Sequence, residues 1–177
     1  STTDRRVDLV NEGFDCVIRV GNLTDSSLIA RPLGQMESIN CASPAYLTKY
    51  GMPLTLDDLQ NHQLVDYVQI LGTKSRGFEY LIGDELAYID MPRSITVNNS
   101  EAYNAAALAG LGIVQVPKVG VEIHIQQGYL QQILTQYSSE TMPVNLLYTH
   151  RRNLSQRTRV FMDWLSLVVT EYLARRY

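Results

Sequence analysis

The residues best suited to chemistry lie between Val97 and Pro117, in the run VNNSEAYNAAALAGLGIVQVP. Asn98, Asn99 and Ser100 carry short side-chain oxygens that accept hydrogen bonds from the otherwise orphaned first amides of a helix. Glu101 follows Asn98 by three residues, the spacing of a capping box with Asn98 as the cap. Amides left over at such a corner attract anions, because free N–H groups and the helix dipole act together. The chemistry predicted here is reversible binding of a small anionic molecule. Residues of these types also serve as plain caps, which is their commonest role.

The other reactive side chains form no catalytic or metal pattern. His62, His124 and His150 are far apart in sequence, with no short spacing to one another or to cysteine. Each is expected to be a surface or satisfied histidine. Cys16 and Cys41 sit inside apolar runs and are expected as buried thiols, which suits a reducing compartment. Asp57-Asp58 and Asp84-Glu85 fall at a helix start and in a turn, where acids serve structural ends. Gly110-Leu111-Gly112 lacks the third glycine of a dinucleotide fingerprint and follows a helix, so it is a stop signal. The sequence therefore predicts no enzyme, no cofactor and no metal.

The elements that must position the binding corner read as alternating α/β. Across Val97–Pro117 a short strand leads into an alanine-rich helix over Ala102 to Leu111, then a strand over Ile113 to Val116. A β-α-β unit places free amides at the carboxyl end of a strand, where open α/β sheets bind ligands. Upstream, Asp4 caps a helix ending at Gly13, and strands follow over Phe14 to Val20, Ser27 to Leu33 and Met36 to Ala42. Ala45 to Tyr50 is a short helix, Leu56 to Asn61 another with Thr55 as its cap, and His62 to Val68 a strand. Phe78 to Glu85 forms a hairpin. Leu86 to Met91 and Arg93 to Val97 are strands, 119–127 a helical turn, and Leu130 to Leu134 and Val144 to Thr149 strands. A last helix, capped by Ser155, carries Val160, Phe161, Trp164, Leu165, Val168 and Tyr172 on one stripe. Its other face holds Arg157, Arg159, Arg175 and Arg176 and is expected to be solvated.

The 177 residues allow one large or two small domains, with 45% hydrophobic and 19% charged residues. A net charge of −3 argues against wholesale binding to nucleic acid or anionic membrane. No apolar run is long enough to span a bilayer.

The order of motifs is similar to that of a known family. DLVNEGFDCVIRVG (Asp8 to Gly21), DSSLIARPLG (Asp25 to Gly34), INCASPAYLTKYG (Ile39 to Gly51), LDDLQNHQLV (Leu56 to Val65), the Val97–Pro117 run and a helix after VNLLYTHRR follow one another. Together they resemble the effector-binding domain of LysR-type transcriptional regulators, over essentially the whole chain. CASPAYL, G-x-D-x-x-I-R-x-G and AGLGI-x-x-x-P carry most of the likeness.

The resemblance implies an α/β fold of two Rossmann-like subdomains joined by two crossover strands, as in type II periplasmic binding proteins. Subdomain I would be residues 1–65 with 142–177, and subdomain II residues 66–141. It implies a small effector held in the cleft between them by a helix start and loop ends. The matching positions are Gly21, Asn22, Ser43, Asn99, Ser100, Glu101, Val116 and Pro117, with Tyr67 and Val68 along the wall. Two departures stand out. Glu101 would repel an anion unless turned into the helix cap, and the family's first strand and helix have no counterpart here. The implied setting is a cytoplasmic bacterial protein, forming a homodimer or tetramer. It would meet DNA only through an N-terminal helix-turn-helix absent from this chain, and it would not meet a membrane. A solute-binding protein of a transporter would share the architecture and is the alternative.

Overall fold

The computed structural model describes residues 7–9, 11–23, 28–149 and 154–174. Of the helix predicted from Asp4 to Gly13, residues 7–9 and 11–13 are described and form turns rather than a helix, while Asp4, the expected strand tail at Ser1–Thr3, His150, Arg175 and Arg176 lie outside the described residues. The chain divides into two compact units, Glu37–Glu140 and a second built from Arg6–Met36 with Thr141–Tyr177.

The second unit is a three-stranded antiparallel sheet of β1 (Cys16–Val20), β2 (Leu28–Met36) and β10 (Met142–Thr149) in the order β1-β10-β2. The sequence predicts that the second strand stops at Leu33, yet β2 continues through Pro32 and Gly34. It can do so because it is an edge strand here, where a proline forfeits no ladder bond, and a bulge opposite Val144/Asn145 absorbs the irregularity. Helix α4 (Gln156–Ala174) packs Met162 against Leu33, Val144 and Leu146, with Leu165, Val169 and Leu173 alongside. This corrects the expected phase of the helix. Both sides of α4 are apolar, and the side carrying Val160, Phe161, Trp164, Val168 and Tyr172 is exposed. An ion pair from Arg31 to Asp163 at 2.7 Å and a bond from the Thr170 hydroxyl to the Leu33 carbonyl at 3.1 Å fix the observed phase.

The central unit holds the binding corner. In chain order it contains β3 (Ser38–Ala42), α1 (Pro44–Tyr50), a 3-10 turn (Asp57–Asn61), β4 (Leu64–Tyr67), and the hairpin β5 (Phe78–Ile82) and β6 (Glu85–Ile89). Then come β7 (Arg93–Val97), α2 (Ser100–Leu108), β8 (Val114–Pro117), α3 (Lys118–Gln126) and β9 (Gln131–Gln132). Strand β3 pairs antiparallel with β8 and β9, β4 pairs parallel with β7, and a single parallel bridge from Leu64 to Ile113 joins the two pairs. Residues 37–65, expected in the first subdomain, are thus hydrogen bonded into the central unit.

One face of this sheet packs against α2 and α3. Ile39, Cys41, Val65, Val97, Val114 and Val116 meet Tyr103, Ala106, Ala107 and Val121 there. The other face, with Ala42, Leu64 and Ile113, is covered by Tyr46, Leu59, Phe78 and Met91. Alternation along β3, β4 and β8 assigns each residue to its face, because successive strand side chains point in opposite directions. The 3-10 turn departs from expectation at its start. Thr55 does not cap it; instead the Asp58 carboxylate reaches back to the Leu54 and Thr55 amides, both at 2.9 Å.

Candidate functional site

Strands β4, β7 and β8 run parallel and end at Tyr67, Val97 and Pro117 on one edge of the central sheet. Chain β7 passes directly into α2 and β8 directly into α3, and both helices lie on the same face of the sheet. Two helix amino ends therefore open at the edge that Tyr67 and Val68 also border. This is the end of an open α/β sheet at which ligands bind.

The two helix starts differ. At α2 the cap is Asn99 and not Asn98: its Oδ1 accepts the Ala102 N–H at 2.8 Å. Asn99 thus occupies one of the amides that the sequence offers to an anion, and Glu101 lies exposed in the first turn, where its charge suits the dipole. At α3 the cap is Pro117, which brings no side-chain hydrogen bond. The Lys118 N–H donates to the Glu37 carbonyl at 2.9 Å, and Gly120 is exposed with open space where a Cβ would stand. The Lys118 ammonium lies 3.9 Å from the Glu37 carboxylate, a loose pair with both side chains well exposed. Lys118 and Gly120 were not legible as candidate site residues, because reading 119–127 as a helical turn did not mark where the helix starts. Proline followed by lysine was the available signal of a helix start.

Between β4 and β8 the sheet is split. Val65 N–H donates to the Ile113 carbonyl at 2.9 Å, and Ile113 N–H to Gln63 at 2.8 Å. Two residues further on, Gln115 N–H donates to the Tyr103 hydroxyl at 3.0 Å, and that hydroxyl donates to the Gln115 carbonyl at 3.3 Å. The Tyr103 ring packs edge-on against Tyr67, centroids 5.6 Å apart. Burial pushes the Tyr103 phenol far above its ordinary value, so it stays protonated and can donate.

On the opposite face the Gln115 side chain forms a half-buried polar node. Its amide nitrogen donates to Asn40 Oδ1 at 2.8 Å and to the Glu79 carbonyl at 2.7 Å, while its Oε1 accepts the Glu79 N–H at 2.7 Å. The amide of Asn40 continues to the carbonyls of Leu134 and Tyr137. This node fastens the β5–β6 hairpin to the sheet.

The predicted site residues separate into three groups. Tyr67, Val68, Asn99, Ser100, Glu101, Val116 and Pro117 come together at the carboxyl edge. Ser43 does not join them. It caps α1, with Oγ 3.3 Å from the Tyr46 amide, and lies beyond the end of antiparallel β3, beside Gly110 at the opposite edge. Gly21 and Asn22 belong to the other unit, where Gly21 follows β1 at φ +94° and donates its N–H to the Pro143 carbonyl at 2.9 Å.

Cys41 is fully buried, its thiol pushed up to about 12 by burial, so it carries no thiolate at neutral pH. No group of three or more His, Cys, Asp or Glu able to hold a metal occurs among the described residues. His62 is buried and satisfied by Tyr46. His124 does not meet its expectation in full: it is half-buried, and its Nδ1 has no hydrogen-bond partner among the described residues.

Residues 1–168 match the model of the LysR substrate binding domain. The chain belongs to that family. The LysR domain is 44% identical over 173 residues to the HTH-type transcriptional regulator YhjC of Escherichia coli K12, covering 98% of this chain and 58% of that protein. It is 36% identical over 160 residues to the HTH-type transcriptional activator AaeR of the same organism, covering 90% of this chain and 51% of AaeR. Among solved structures, the LysR-type regulator CrgA of Neisseria meningitidis superimposes with a TM-score of 0.78 at 28% identity, covering 94% of this chain and 55% of CrgA. The isolated CrgA regulatory domain gives 0.77 at 28% identity, covering 96% of this chain and 81% of that domain. The LysR domain thus has the type II periplasmic-binding-protein-like α/β fold, and it spans about half the length of the curated relatives it matches.

Proposed function

We propose that this chain is the effector-sensing regulatory domain of a LysR-type bacterial transcription factor. It binds a small anionic metabolite between its two subdomains and thereby modulates DNA binding and transcription. The observation that carries this is the convergence of the α2 and α3 amino ends with Tyr67–Val68 at one sheet edge, in a domain of this family. The positive ends of two helix dipoles, with Lys118 beside them, favour a carboxylate. The lobes we propose follow the hydrogen bonding, Glu37–Glu140 forming one and the flanking segments the other. Gly21 and Asn22 would contribute from the flanking lobe.

Differential affinity for open and closed forms would shift the angle between lobes and so re-angle the DNA-binding domains of a homodimer or tetramer. DNA contact falls to a helix-turn-helix outside this sequence. The relatives YhjC and AaeR, a transcriptional regulator and a transcriptional activator, favour this over a transporter's solute-binding protein. No helix among the described residues is long and apolar enough to cross a membrane, and a cytoplasmic location with no enzymatic activity fits a sensor.

Calorimetric titration with acetate, succinate and benzoate tests the proposal, repeated on Ser100→Ala and Asn99→Ala. Binding that weakens in both variants supports it. Binding that neither substitution alters places the ligand elsewhere.

A further inference from the structure

We infer that Tyr103 is a positioning residue that holds the central sheet open at the ligand edge. This rests on the carboxyl-edge site proposed above. The bridge between Leu64 and Ile113 fixes the register of β4 against β8. A parallel ladder carried two residues further would send Gln115 N–H to the Val65 carbonyl and Tyr67 N–H to the Gln115 carbonyl. The Tyr103 hydroxyl takes both places on Gln115, accepting from its N–H and donating to its carbonyl.

One side-chain oxygen thus substitutes for a whole strand. The substitution satisfies the backbone of Gln115, which would otherwise lack a protein partner at a half-buried position. It also keeps Tyr67 and Val68 apart from Val116 and Pro117, and so sets the width of the edge that the two helix starts face. Tyr103 suits the task because its ring is anchored among Cys41, Val65, Val97 and Val116, and α2 delivers it one turn after the Asn99 cap. A phenylalanine would keep that anchoring and lose only the wedge.

The test is Tyr103→Phe in the full-length protein, read by hydrogen exchange at single-amide resolution and by titration with succinate and benzoate. The Gln115 amide is expected to exchange at least tenfold faster relative to Val114 and Val116, while amides of the same core at Ala106 and Ala107 stay within about twofold. Whichever of the two carboxylates binds the parent is expected to bind the variant at least threefold more weakly. A uniform loss of protection across the core, or unchanged exchange at Gln115, would overturn the inference, since either reduces Tyr103 to packing. If neither carboxylate binds the parent, the ligand proposal fails at that edge, while the Gln115 exchange ratio still decides whether Tyr103 is the wedge.

Discussion

The phenolic oxygen of Tyr46 lies 3.0 Å from Nδ1 of His62, both side chains are buried, and the same oxygen accepts the Gln63 N–H at 2.8 Å. The Tyr46 hydroxyl carries one proton and two lone pairs, so besides accepting from Gln63 it can either donate to Nδ1 or accept from an Nδ1–H, and His62 is satisfied in either tautomer. Burial lowers the His62 pKa below the ordinary 6.5, with the Asp58 charge offsetting this in part.

A depressed imidazole pKa means that the unfolded chain binds more protons below pH 6.5 than the folded one does. Stability from this group is therefore complete above that pH and is lost as pH falls through the folded value. Urea midpoints measured from pH 8 to pH 5 are expected to hold steady down to about 6.5 and then decline. His62→Gln, which cannot gain a proton, is expected to flatten that decline. An equally steep decline in the variant would assign it to other groups.

The Gln115 node predicts a large penalty for an isosteric apolar replacement. Gln115→Leu strands the Glu79 N–H, the Glu79 carbonyl and Asn40 Oδ1 in a covered place. A fully buried group left without a partner costs about 1–3 kcal/mol, and because water reaches this half-buried node in part, a loss of roughly 2–4 kcal/mol for the three together is expected by chemical denaturation. Exchange should quicken first in Phe78–Ile82, the strand that the node fastens. A loss below about 1 kcal/mol would mean that water replaces the amide without penalty.

Gly112 predicts a different kind of failure. A Cβ there would stand 2.5 Å from the Gln63 carbonyl oxygen and 3.0 Å from the Val65 amide nitrogen, both backbone atoms of the segment that β8 must approach. Gly112→Ala is expected to cost more than about 2 kcal/mol by thermal or urea unfolding, as steric intrusions on a core backbone do. Gly120→Ala, with nothing within 4 Å of the added methyl, serves as the tolerated control.

Glu79 offers a charge test. Burial raises its pKa above the ordinary 4.5, and the nearby Glu140 charge raises it further, while its Oε1 accepts the Glu140 N–H at 3.3 Å. A raised carboxyl pKa gives stability that is complete below pH 4.5 and lost as pH climbs through the folded value. Glu79→Gln keeps an acceptor and removes the charge. The variant is expected to gain in thermal midpoint over the parent at pH 7 and to lose that gain at pH 4. An advantage independent of pH would contradict this account.

Much of the fold was legible because its signals are local. The Pro92 break, the Gly83-Asp84 turn, Gly51 after α1 and the Asn-Ser start of α2 each act within a few residues, and the elements fall close to where those signals set them. The phase of α4 was not legible, since two apolar stripes compete and only the shape of the Leu33–Val144–Leu146 surface chooses between them. The geometry of the candidate edge was partly legible. That Asn99, Ser100, Val116 and Pro117 share one edge follows from β-α-β connectivity, whereas the place of Ser43 at the opposite edge was not legible, because the antiparallel direction of β3 depends on a partner 70-odd residues away. Tyr103 carries no local mark. An aromatic residue inside a helix reads as core, and its hydroxyl acquires meaning only once β4 and β8 stand beside each other.

The most direct measurement is amide chemical-shift mapping during titration with acetate, succinate and benzoate, since the two edges of the central sheet control for each other. Shifts concentrated at Tyr67–Val68, Asn99–Glu101 and Val116–Gly120, with Ser43 and Gly110 unmoved, are the result predicted. Shifts centred on Ser43 and Gly110, or absent from both helix starts, would contradict a sensor site at the carboxyl edge.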